Sequence, residues 1–130
     1  MSNDAFKAGF QRLLAKVGDR AEKTVRVFAL QIGTELIRRS PVDTGRFRGN
    51  WQIGFNNIEY STDSANDQSG GIAMDRLLAR LASWKAGQTI NITNSLPYAQ
   101  RLEYGWSQQA PQGMVRLTVM NFKNYVRGAA

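Results

Sequence analysis

At Ser40-Pro41 the hydrophobic period of the chain changes, and any fold has to be built around that change. Upstream, Phe6, Phe10, Leu13, Val17, Ala21, Val25, Phe28, Ile32 and Leu36 recur at three- and four-residue steps. This is the apolar stripe of an amphipathic helix, predicted from Ala5 to Arg39. Ser2 or Asn3 can cap its start, Asp4 suits the positive helix end, and Gly18-Asp19 offers a bend. Proline disfavours helical geometry in the residue before it, so Ser40 closes the helix. Arg38 and Arg39 fall in the last turn, where cations suit the negative end. Downstream, Phe47, Gly49, Trp51, Ile53 and Phe55 alternate with Arg48, Asn50, Gln52 and Gly54. That alternation predicts a strand over 47–55 with one buried face.

Asn56-Asn57 shifts the parity, after which Ile58 and Tyr60 are expected to continue as a bulged or paired strand. Ser61 to Gly71 is polar and glycine-rich and reads as a mobile loop. A second helix is predicted from about Ala73 to Lys85, with Met74, Leu77, Leu78, Leu81 and Trp84 on its apolar face and Gly87 as its stop. Gln88 to Thr93 alternates again, placing Ile90 and Ile92 on one face of a short strand. Asn94-Ser95 closes that strand, and Pro97 fits the first turn of a short helix that stacks Tyr98 on Leu102. Gly105 is its left-handed stop. In the tail, Val115, Leu117 and Val119 alternate, but Val115, Val119, Phe122 and Val126 fit helical spacing and no glycine interrupts Met114 to Arg127, so a helix is predicted. The expected fold class is α+β: a long N-terminal helix, a small antiparallel sheet of three to four strands, and one or two further helices packed on it. A single domain over 1–130 is expected, with 1–40 its helical part and 41–130 its sheet and helices.

Composition narrows the chemistry. At 130 residues with 42% hydrophobic content the chain can bury a real core. It has no run of 18 apolar residues, so neither a transmembrane helix nor a membrane partner is expected. Met1-Ser2-Asn3-Asp4 lacks a basic region followed by an apolar run, so no signal peptide is expected. There is no cysteine and no histidine, which removes the usual general base, the thiol nucleophile and the soft metal ligands. Gly70-Gly71 lacks the downstream Lys-Ser/Thr of a phosphate loop. No enzyme activity, cofactor or metal is therefore expected. A hydrolase or nuclease working through carboxylates alone would need a pair such as Asp43 and Glu103. Each has a simpler job: Asp43 bonding backbone N–H groups in its turn, Glu103 pairing with an arginine or capping a neighbouring loop.

The net charge of +7, from 17 Lys and Arg against 10 Asp and Glu, favours polyanionic neighbours. The charges are spread without a block of five or six, and a stand-alone basic nucleic-acid-binding module stands as the alternative function. Trp51, Trp84, Phe28 and Phe55 sit on predicted core faces. Tyr98, Tyr104 and Trp106 lie at a turn, where interface and local core are both open readings. A base-stacking platform needs several aromatics on one exposed basic sheet face. Here two amphipathic helices are available to cover the aromatic face, which argues for core.

Two turns carry a resemblance: Pro41-Val42-Asp43-Thr44-Gly45, and Tyr98-Ala99-Gln100-Arg101-Leu102-Glu103-Tyr104-Gly105. Together and in this order they resemble the head–tail joining (neck, or tail-completion) proteins of long-tailed bacteriophages, often called minor tail proteins. That family has a Pro-x-Asp-Thr-Gly turn after an N-terminal helix and a Tyr-Ala-x-x-x-Glu-Tyr-Gly turn further along. The resemblance runs from Ile37 to Val119. It implies a structural virion protein of the neck or tail, a subunit that assembles with itself into a ring of about six copies. It implies as partners the tail tube or tail terminator protein and the head–tail connector, with non-specific DNA contact in the lumen and assembly in the host cytoplasm. The residues it singles out as interface or structural motif are Asp43, Thr44, Gly45, Arg46, Arg48, Tyr98, Arg101, Glu103, Tyr104, Gly105 and Trp106. The two turns are expected near one another at one end of the sheet, and Arg46, Arg48 and Arg101 are expected to pair with acidic neighbours across interfaces.

Overall fold

The computed structural model describes residues 20–110 and 112–121. The expected first half of the long helix, with Gly18-Asp19, lies outside them, as do Phe122 and Val126. Helix α1, Arg20–Arg39, ends where Ser40 precedes Pro41. The Ser40 hydroxyl donates to the Leu36 carbonyl at 2.7 Å and accepts the Trp51 indole N–H at 2.6 Å. The residue that stops the helix therefore also seats the first residue of the sheet.

The inward face of α1 is turned from the predicted stripe. Ala29, Leu30, Gly33, Leu36 and Ile37 are buried, whereas Val25 is exposed and Phe28 and Ile32 are half-buried. Gly33 is the reason. A Cβ there would lie 2.5 Å from Leu77 Cδ2, so the bare backbone lets the second helix approach closely and draws the flanking residues inward. A glycine contributes nothing to an apolar stripe, which hid this contact from a reading by periodicity.

Strands β1, Trp51–Phe55, and β2, Ile90–Asn94, pair antiparallel from Trp51↔Asn94 to Phe55↔Ile90. Among the described residues they form a two-stranded sheet, in place of the three to four strands expected. The strand predicted over 47–55 is shortened because Arg48–Asn50 is a 3₁₀ turn. Gly49 N–H bonds the Gly45 carbonyl at 2.9 Å and Asn50 N–H the Phe47 carbonyl at 3.0 Å, so the chain coils before it extends. Ile58 and Tyr60 form no strand and are exposed. Residues 57–59 instead lie across the outer face of the sheet. The Asn91 amide donates to the Asn57 carbonyl at 3.2 Å and the Thr93 hydroxyl to the Glu59 carbonyl at 3.1 Å. A Cβ at Gly54 would stand 2.5 Å from the Asn57 oxygen. With both faces covered, Gln52 and Gly54 are buried together with Trp51 and Ile53, and the alternation in sequence has no matching alternation in exposure.

The polar segment expected to be a mobile loop is fastened. Asn50 exchanges bonds with the backbone of Asp63, and the buried Asp67 carboxylate accepts the N–H groups of Ile72 at 3.1 Å and Ala73 at 3.0 Å. Those are orphan donors in the first turn of helix α2, Gly71–Ala82. The helix is shorter than the predicted Ala73 to Lys85: it is capped at Ser83, whose N–H bonds the Arg80 carbonyl while Trp84 N–H bonds that of Leu81, and Gly87 belongs to the next turn. Met74, Leu77 and Leu81 are buried against α1 and the sheet, each contributing roughly 1.5–3 kcal/mol of apolar burial. Arg26, itself buried, reaches from α1 to the far end of α2: its Nε donates to the Leu81 carbonyl at 2.9 Å and its Nη2 to that of Trp84. The guanidinium also stacks over the Trp84 ring at 5.2 Å and faces Glu22 at 3.5 Å. A short helix α3, Ala99–Glu103, and a helical stretch over 115–121 follow. The three helices that the spacing places after α1 are thus all present, the last described as far as residue 121.

Candidate functional site

The two motif turns meet beside the end of the ladder where Trp51 pairs with Asn94. Asn94 holds them together: its amide donates to the Phe47 carbonyl at 2.9 Å and its Oδ1 accepts the Leu96 N–H at 3.3 Å. Leu96 is buried and starts the turn into α3, accepting the Ala99 N–H at 3.0 Å. At the other end of α3, Gly105 has φ +89°. Gly105 N–H bonds the Leu102 carbonyl and Trp106 N–H the Arg101 carbonyl, both at 3.2 Å. This is the paired closure of a Schellman motif, as the sequence predicted for Gly105.

In the first turn, Gly45 has φ +93°, and the Thr44 hydroxyl accepts the Arg46 N–H at 3.2 Å. Thr44 thus does the work expected of Asp43, which is exposed at the rim. Between the turns lies an open groove of about 220 Å³, lined by residues 41–47 together with Tyr98, Leu102, Ser107 and Gln109. The Phe47 and Tyr98 rings stand 6.0 Å apart across it. The Gln109 side chain locks it: Oε1 accepts the Val42 N–H at 2.8 Å and Nε2 donates to the Val42 carbonyl at 2.9 Å. One amide thus serves both backbone groups of Val42, as a neighbouring strand would.

The Schellman exit turns Tyr104 and Trp106 out to solvent, 70% and 71% exposed. Arg101 stacks over Trp106 at 4.9 Å and Arg116 over Tyr104 at 5.2 Å. Of the two readings left open for these rings, local core is excluded for Tyr104 and Trp106. Tyr98 lies at the edge, 37% exposed.

Among the described residues no cluster of three metal-ligating side chains forms, and no helix is long and apolar enough to cross a membrane. Residues 4–105 match the model of a phage family described as "Bacteriophage HK97-gp10, putative tail-component". The chain belongs to this HK97 gp10-like family. No curated protein and no solved structure matches it significantly. The family match contains both motif turns in full and ends at Gly105. An HK97 gp10-like tail component has a structural place in the virion and works through contacts with other tail or head proteins.

Within this HK97 gp10-like chain the groove brings together Asp43, Thr44, Gly45, Arg46 and Tyr98. It leaves out Arg48 and Glu103. Arg48 is half-buried and ties the end of α1 to the loop before α2, donating to the carbonyls of Gln68 at 2.8 Å, Ser40 at 3.0 Å and Arg38 at 3.2 Å. Burial lowers its pKa, opposed by the nearby Asp67 carboxylate. Within its own subunit Arg48 is thus held by three backbone carbonyls. Sequence reasoning also missed Arg26, Arg76 and Gln109. Arg76 donates to the carbonyls of Gly49 at 2.8 Å and Trp51 at 2.9 Å. The one available signal was the four-residue spacing of Arg76 and Arg80 on one helix face, and Arg80 donates to Ile53 at 3.3 Å.

Glu103 caps the helical stretch over 115–121. Its Oε1 accepts the N–H groups of Met114 at 2.9 Å and Val115 at 2.8 Å, and its Oε2 accepts Arg116 N–H at 3.1 Å and Arg116 Nε at 3.2 Å. Both simpler jobs anticipated for Glu103, an arginine partner and a cap, are combined in one carboxylate. Burial is the largest single influence on its pKa and raises it, but the bonds from Val115, Arg116 and Met114 together outweigh it and leave the pKa below the usual value. A depressed carboxyl stabilises the fold above its unfolded pKa of about 4.3, and that stabilisation disappears as pH falls through the folded value. Glu103→Gln is expected to cost about 0.5–2 kcal/mol at neutral pH, the size of a lost helix cap. Thermal melts from pH 7 down to pH 3 should show the wild type approaching the variant at the acid end. A constant gap across that range would contradict the assignment.

Proposed function

We propose that this tail component is a single-domain ring subunit, about six copies closing around the DNA passage at the head-proximal end of the tail. The ring joins the tail tube or terminator to the head–tail connector and is added during virion assembly in the host cytoplasm. The observation that carries this reading is the convergence of the two motif turns on one groove. A rigid corner of this kind, fastened by Asn94 and Gln109 and backed by the core, suits a contact that must repeat identically from copy to copy. Asp43, Thr44, Arg46 and Tyr98 are its contact residues, with Gly45 and Gly105 setting its shape.

The charge distribution weighs against a stand-alone nucleic-acid-binding module. Arg26 is buried and Arg48 and Arg76 are half-buried, each bonding backbone carbonyls inside the subunit, so these three are withdrawn from phosphate contact despite the net charge of +7. Tight duplex binding draws on many phosphate contacts at once. In a ring, the exposed remainder, Arg46 among them, suffices for non-specific contact with passing DNA. Electron microscopy of the assembled particle tests the proposal, with a closed coaxial ring of copies as the expected result.

A further inference from the structure

We infer that the corner formed by Arg101, Tyr104 and Trp106 docks a carboxylate-bearing segment of a different chain, a neighbouring tail or head protein, and is not the contact between copies. Trp, Tyr and Arg are the residues that dominate protein–protein hot spots. Here two of them stand 70% and 71% exposed on a rigid turn, with a guanidinium over each ring. Arg116 is already engaged by Glu103 at 3.2 Å. Arg101 is exposed on α3 and stacked on Trp106, and the described subunit offers its donors no acceptor. Its planar fork, 4.9 Å from the centre of the indole, matches a carboxylate bidentately.

The chemistry of the partner follows from charge. In the proposed ring the contact between copies is assigned to the groove between the motif turns, which leaves this corner to a different chain. An acidic segment of another chain is steered to it. Duplex DNA offers phosphates but no surface for two protruding rings, since its bases are stacked inside, and a single unengaged arginine gives only one of the several phosphate contacts that duplex binding needs. The inference rests on the proposed layered ring for its place in the particle, while the binding chemistry can be read on the isolated protein.

The test is fluorescence anisotropy on the full chain, with a labelled polyglutamate peptide as one probe and a labelled duplex oligonucleotide as the other. Arg101→Glu and Trp106→Ala are compared with two controls at exposed positions outside α3 and its exit turn, Lys85→Glu and Tyr60→Ala. Self-association of every variant is followed by sedimentation, and melting curves verify folding. Polyglutamate affinity should fall about tenfold or more in Arg101→Glu and Trp106→Ala and less than about twofold in the controls, with self-association unchanged. No peptide binding by the wild type, or an equal loss in Lys85→Glu and Arg101→Glu, would overturn the inference. So would a loss confined to the duplex probe, which would mark a phosphate contact, or a loss of self-association, which would mark a contact between copies. An absent ring in the particle would remove the proposed function but leave these affinities as they are.

Discussion

Gly45→Val is expected to lose about 4 kcal/mol of stability or more, a large part of the roughly 5–15 kcal/mol that holds a folded domain together. Two costs coincide at this position. At φ +93° a β-branched residue is strained by roughly 1–3 kcal/mol. A Cβ would also stand 2.3 Å from the Gln68 nitrogen and 2.4 Å from the Asp67 carbonyl carbon, and these backbone atoms cannot swing aside as a side chain would. The Gly45 carbonyl moreover accepts both the Gly49 and the Asp67 N–H, so a shift that relieves the clash breaks the turn and frees the loop. Gly87 provides the control. Its φ is +95° but nothing lies within 4 Å of its Cβ position, so Gly87→Ala should cost only about 1 kcal/mol. Urea denaturation of both variants separates backbone strain from lack of space. Equal costs at the two glycines would contradict the close packing of the first motif turn on the Asp67 loop.

Asn50→Ala is expected to cost about 3 kcal/mol, the second largest effect. Asn50 is 1% exposed and uses every polar atom of its amide. Nδ2 donates to the carbonyls of Arg46 at 2.6 Å and Asp63 at 2.9 Å, and Oδ1 accepts the Asp63 N–H at 2.7 Å. Alanine leaves the Asp63 N–H and the Arg46 carbonyl without partners and the Asp63 carbonyl with only the 3.4 Å bond from Arg46 Nε, and each buried orphan costs about 1–3 kcal/mol, less where water reaches it. Asn50→Asp keeps the shape but turns a carboxylate oxygen toward two carbonyls, so at neutral pH it should be at least as damaging as alanine. Denaturant midpoints measure both. An aspartate variant as stable as the wild type would mean that the amide fills space without bonding the loop.

These two residues also mark the limit of what the sequence made legible. Proline chemistry placed the end of α1 at Ser40, alternation paired Ile90 and Ile92 on the core face, and Gly105 took the left-handed form that its position after α3 implied. In each case a local rule acts within one element. Asn50 was read as the outward face of a strand, because alternation assumes one side of the sheet meets water. Here residues 57–59 cover that side through bonds from Asn91 and Thr93, and polar side chains that bond a distant backbone leave no periodic trace. The arginines were misjudged for the same reason. Arg26 lies 55 residues from the Leu81 carbonyl it caps, and nothing in its own segment distinguishes it from a solvated cation. In the candidate site, the meeting of the turns was anticipated, but the amide of Gln109 that joins them was not, and the turn bond expected of Asp43 is made by Thr44.

The central claim is that copies of this chain close into a ring where the tail meets the head. Cryo-electron microscopy of the intact particle tests it most directly, because the ring and its place are seen together. The account predicts a closed ring of identical copies coaxial with the DNA passage, the groove between the two motif turns lying against the adjacent copy and Trp106 facing a different protein layer. Isolated copies, or copies placed away from the tail axis, would contradict it.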